Sequence, residues 1–165
     1  MTGPQICQQL DQMRRTGAGF EAILNFAVEK LHESDARFHW TGIYELFPDN
    51  MLRLGPFIGA ATDHVFIGVG EGVCGTAVAE KRNINVPDVS KVSNYLACST
   101  STKSELVVLI RDGDTIFAQI DLDSHECNAF DPEAVTLVEH VAAWLASEYA
   151  GRRRERCASR CGRTS

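Results

Sequence analysis

Apolar residues recur along this chain in two rhythms, and the changes between them lay out its elements. In "GFEAILNFAVEKLHES" the residues Phe20, Ile23, Leu24, Ala27, Val28 and Leu31 fall at helical spacing on one stripe, which predicts an amphipathic helix. "RFHWTGIYELF" alternates instead and is rich in aromatic side chains, as a strand does. "PDN" then turns the chain into "MLRLGPFIGA", the second arm of a hairpin. "GVGEGVCGTAVAEKR" changes texture: it holds four glycines, three of them ahead of a short helix predicted from about Val73 to Lys81. "NINVPDV" reads as a short strand closed by Pro87, and a polar loop carrying Cys98 runs on to Thr102. "SELVVLIRDGDTIFAQIDLDS" gives two strands joined at Asp112-Gly113, a strong hairpin signal. In "FDPEAVTLVEHVAAWLASEY" Asp131 suits a helix N-cap and Pro132 the first turn, and Val135, Val138, Val141, Ala142 and Leu145 supply a buried stripe.

Strands joined by tight turns imply an antiparallel sheet, with the two long terminal helices packed together on one face. The crossing loops and the short helix take the other face, which leaves a ligand pocket between loops and sheet. The expectation is an α+β sandwich: one domain over residues 1–150, followed by a flexible Arg-rich tail at 151–165.

Composition narrows the function. With 165 residues, 44% hydrophobic and 23% charged, the chain reads as one soluble globular domain. A net charge of −6 argues against nucleic acid and anionic membrane as partners. No stretch is apolar enough for a spanning helix, and "MTGPQICQQLDQMRR" lacks the core of a secretory signal. The expected compartment is therefore the reducing cytoplasm. There the six cysteines are inert or redox-active, and their spacing forms no zinc pattern. The tail "GRRRERCASRCGRTS" holds six arginines with Cys157 and Cys161 and is expected to be a solvated end.

Three carboxylates break the apolar patterns. Glu105 opens a core strand, where burying a charge is costly without a partner. Asp121 and Asp123 stand two apart on the next strand and project to one face, while Ile120 and Leu122 take the helix-covered face. A solvated strand face would account for a pair of aspartates alone. Joined by the hairpin to Glu105, on the open face beneath a loop bearing Cys98, the trio can hold an ammonium group and keep one carboxyl protonated. The glycine-rich "GVGEGVCG" lacks the Lys-Ser/Thr ending of a phosphate loop and reads as a tight strand-to-helix turn. Cys74, near the start of that helix, lies where the dipole favours a thiolate.

The ordered set "WTGIY", "LGPF", "GVCGTA", "VPDV", "LAC", "SELVV", "IDLDS" and "FDPE", from about Trp40 to Glu139, resembles the GAF-fold free methionine-(R)-sulfoxide reductases. The resemblance implies a GAF-like fold and reduction of the R-sulfoxide of free methionine, with electrons from a thioredoxin-like dithiol. It implies Cys98 as catalytic cysteine, Cys74 as second redox cysteine, Glu105, Asp121 and Asp123 as substrate carboxylates, and Trp40 as a pocket wall. No cofactor and no metal are expected, and a homodimer is left open. The chain departs from the family pattern at His64, where a third redox cysteine is usual, and at Ser99, Leu109 and Gln119. The competing class is a GAF module that senses a small ligand without turnover. Cys7 and Cys127 read as incidental thiols, and His32, His39, His125 and His140 as scattered residues that form no ligand set.

Overall fold

The computed structural model describes residues 1–96 and 100–161, with side chains through Arg154. Cys98 and Ser99 therefore lie outside the described residues, as do the side chains of Cys157 and Cys161. The chain runs α1 (Gly3–Arg15), α2 (Phe20–Ser34), β1 (Trp40–Leu46), β2 (Met51–Ile58), β3 (Phe66–Gly68), α3 (Gly72–Glu80) and β4 (Ile84–Val86). A 3-10 turn at Val89–Lys91 leads to β5 (Ser104–Asp112), β6 (Thr115–Ser124) and α4 (Pro132–Cys161). The strands form one antiparallel sheet in the order β3-β2-β1-β6-β5-β4.

Period-two alternation in the central strands builds a core on each face of the sheet. Leu106, Val108 and Ile110 of β5 and Ala118, Ile120 and Leu122 of β6 join the apolar stripes of α1, α2 and α4. The intervening positions face the other way. There Val107 and Leu109 pack with Trp40, Tyr44, Leu52 and Ile67 under Val73, Ala77 and Val78 of α3. Each such buried aliphatic side chain contributes about 1.5–3 kcal/mol, so the second layer is a core in its own right. The expected sandwich stands, with the short helix opposite the long ones.

Three features differ from the expectation. Helix α1 was not foreseen; it packs between α2 and α4 through Ile6 and Leu10, and its Asp11 accepts a hydrogen bond from Trp144 Nε1 at 3.0 Å. The three-residue edge strand β3 lies in a stretch for which the sequence pattern predicted no element. Helix α4 also continues to Cys161, past the boundary expected at residue 150. Arginine is a good helix former, and Arg152 anchors the next turn by an ion pair to Glu148 at 3.1 Å, four residues back. The start of α4 follows the sequence: Asp131 Oδ1 accepts from the Ala134 N–H at 2.9 Å.

The turn into α3 is tight. Gly70 N–H donates to the Gly75 carbonyl at 2.9 Å, and an added Cβ on Gly75 would run into the Gly68 carbonyl oxygen. Backbone cannot step aside as a side chain can. Gly75→Ala should therefore destabilise the protein by about 3 kcal/mol, the upper end for overpacking, read as a lower urea midpoint.

Candidate active site

The site is assembled at the strand ends that meet beneath α3. Register sets Asp123 of β6 opposite both Trp40 of β1 and Glu105 of β5, and Asp121 opposite Gly42 and Val107. All three acids therefore emerge on the α3 side of the sheet. That face is not open. Glu105, Asp121 and Asp123 are 3%, 0% and 1% exposed, because α3 and its apolar neighbours cover them. A solvated strand face is ruled out by that burial.

Cys74 reaches the same point from α3. Its thiol, also buried, lies 3.9 Å from Glu105 Oε1 and donates towards it. Cys74 Sγ, a Glu105 oxygen and an Asp121 oxygen all fall within 4.8 Å of one another. The two positions are 31 residues apart in sequence, so periodicity could not reveal their meeting.

Burial raises the Glu105 pKa well above the usual carboxylate range, and the charges of Asp121 and Asp123 add to the effect. The Asp121 carboxyl is pushed up to about 6, again chiefly by burial, with long contacts to Cys74 and Glu105 opposing the shift. Burial and the neighbouring acids together favour the neutral form of Glu105. None of the ion pairs formed by the described residues includes Glu105 or Asp121. Such a group of acids is incomplete without a cationic or hydrogen-bonding ligand.

Trp40 stands across the β1–β6 pairing from Asp123. Its indole N–H donates to the Ala60 carbonyl at 3.0 Å, and its ring stacks on Phe57 with centroids 5.5 Å apart. A Cβ on either Gly42 or Gly59 would collide with the indole, so two glycines hold the slot it occupies. The His64 carbonyl accepts a hydrogen bond from Tyr44 Oη at 2.8 Å.

Gln119 was noted in the sequence as a departure and not as a site residue. It is wholly buried on the same face as Asp121, and among the described residues neither its amide nitrogen nor its amide oxygen has a hydrogen-bond partner. The spacing of two from Asp121 was the signal for it. His39 and His125, read as scattered, stack at 4.0 Å because the β1–β6 register brings their chain positions together.

A family profile for the GAF domain matches residues 20–149. The free methionine-R-sulfoxide reductase of Escherichia coli is 37% identical over 126 residues, covering 76% of this chain and 75% of that protein. The reductase of the same name from Saccharomyces cerevisiae is 40% identical over 108 residues, covering 63% of this chain. The chain spans 59% of the yeast protein's length. A solved free methionine-R-sulfoxide reductase from Neisseria meningitidis, in complex with its substrate, superposes with a TM-score of 0.83 at 27% identity, covering 93% of this chain and 89% of that one. With that fold, these relatives and an acid-lined site under α3, the chain belongs to the GAF-domain family of free methionine-R-sulfoxide reductases.

Proposed function

We propose that the chain reduces free L-methionine-(R)-sulfoxide to methionine in the cytoplasm, with Cys98 as nucleophile and Cys74 as resolving thiol. The observation that carries this reading is the burial of Glu105, Asp121 and Asp123 together beside a thiol, with no basic side chain among the described residues paired to Glu105 or Asp121. The ammonium group of a free amino acid supplies the missing positive charge. A methionine sulfoxide within a polypeptide has no such group to offer.

The chemistry follows from the burial that favours a neutral Glu105. Neutral Glu105 donates a hydrogen bond to the sulfoxide oxygen and makes the sulfur electrophilic. Trp40 presents an apolar face to the methyl group. The Cys98 thiolate attacks the sulfur, and the sulfoxide oxygen ends on Cys98 as methionine departs. Two electrons have then passed from the thiol to the sulfoxide, leaving a sulfenic acid. The Cys74 thiol condenses with that sulfenic acid, releasing water and forming a disulfide. A thioredoxin-like dithiol returns both cysteines to thiols. The roles of Cys98 and of the dithiol rest on the family likeness, and closure requires the two Cα atoms to come within about 7 Å.

Separated epimers decide the substrate. The R form of free methionine sulfoxide should be consumed with thioredoxin as donor and the S form left untouched; equal rates would defeat the pocket. On the same substrate, Cys98→Ser should abolish even a first turnover. Cys74→Ser should release a single equivalent of methionine and then stall with thioredoxin. A normal steady state in that variant would reassign the resolving thiol.

The acids give two further outcomes. Glu105→Gln keeps shape but removes the proton donor, so kcat/KM should fall roughly 30- to 1,000-fold. Asp121 has its folded pKa raised from 3.8 to about 6, so its burial costs nothing at pH 4 and costs stability once pH has risen through 6. The span amounts to about 3 kcal/mol at most, at about 1.36 kcal/mol per unit. Asp121→Asn should therefore gain stability relative to the parent between pH 4 and pH 8, in paired thermal melts. An unchanged difference at the two pH values would show that Asp121 is not the strained carboxylate.

A further inference from the structure

The cluster beneath α3 combines donors that an ammonium ligand does not need. Cys74 Sγ, a Glu105 oxygen and an Asp121 oxygen lie mutually within 4.8 Å. Asp121 is 0% exposed, yet among the described residues neither of its oxygens has a hydrogen-bond partner, and Glu105 Oε2 is likewise unsatisfied. Unsatisfied polar atoms at such depth are uncommon in folded proteins and call for a ligand. One thiolate with two carboxylates is a three-ligand set that leaves a fourth position of a tetrahedral zinc ion open. Two such ligands on one ion, at bonds of about 2.3 and 2.0 Å, stand roughly 3.5 Å apart. The 3.9 Å between Cys74 Sγ and Glu105 Oε1 is a few tenths of an ångström from that spacing. A sulfur donor selects against calcium and magnesium, which take oxygen ligands.

We propose that Cys74, Glu105 and Asp121 form a binding site for a thiophilic divalent cation of the zinc type, and that a bound cation excludes the amino-acid ammonium group from the same carboxylates. Binding is not a redox step. The thiol gives up its proton to solvent as the sulfur–metal bond forms, and Glu105 does the same as its oxygen turns to the ion. The cation site stands on the geometry alone, whereas the exclusion rests on the reductase reading. A metal held there also ties up the thiol assigned to resolve the sulfenic acid.

Cobalt(II) is the probe, because a thiolate ligand gives it a charge-transfer band that carboxylates do not. The full chain is used with Cys157→Ser and Cys161→Ser, since those two thiols stand four residues apart and could bind metal on their own. Titration should show a single tight Co2+ with the thiolate band. Cys74→Ser should remove the band, and Asp121→Asn should weaken binding at least about tenfold. Cys127→Ser should change neither, and metal-free melting confirms that each variant is folded. A band that survives Cys74→Ser, or a folded parent that takes up no cobalt, overturns the cation site. Free methionine-R-sulfoxide should displace the cobalt; binding indifferent to it overturns the exclusion. Cobalt bound through Cys74 in a chain that never turns over the sulfoxide would uphold the cation site and remove the reductase reading.

Discussion

The structure depends on one unfavourable act: carboxylates are drawn out of water on one face of a sheet, and among the described residues no cation is paired to Glu105 or Asp121. Such burial is tolerable only where the surroundings are held by something stronger than the acids themselves. That support is the second core. Val107 and Leu109 alternate with Glu105 along the same side of β5, and Val73, Ala77 and Val78 close over them from α3. Apolar packing thus forces the acids into their neutral or ligand-seeking state. The register of β6 between β1 and β5 makes their convergence unavoidable.

Much of this was legible in the chain. Alternation alone sent Asp121 and Asp123 to the face opposite Ile120 and Leu122, and the Asp112-Gly113 turn fixed which strand lay beside them. Asp131 announced the start of α4 by its capping chemistry. The covered state of the acid face was not legible, because it depends on where α3 lands, and a helix of nine residues carries no mark of its partner. The contact between Cys74 and Glu105 is a product of that landing.

Other misses have simpler causes. Helix α1 offers Ile6 and Leu10 as its buried apolar residues, too sparse a stripe to stand out from a polar segment. Strand β3 spans three residues, shorter than any alternation can define. Helix α4 outran its expected end because an arginine run was read for its charge when its helix propensity and its pairing with Glu148 decided the backbone. Gln119 was visible as an anomaly, but only the structure shows its amide buried on the same face as Asp121.

The two faces of the sheet also carry one indole each. Trp40 belongs to the layer beneath α3 and is stacked on Phe57, whereas Trp144 belongs to the helical layer, with its N–H on Asp11 and the Arg14 guanidinium 5.2 Å above its ring. The chain has two tryptophans. Its intrinsic fluorescence is therefore the sum of two local emitters, one beside the buried acids and one remote from them. Substituting Trp144 by phenylalanine leaves a single optical signal that reports on the layer above the acids while the helical layer stays dark.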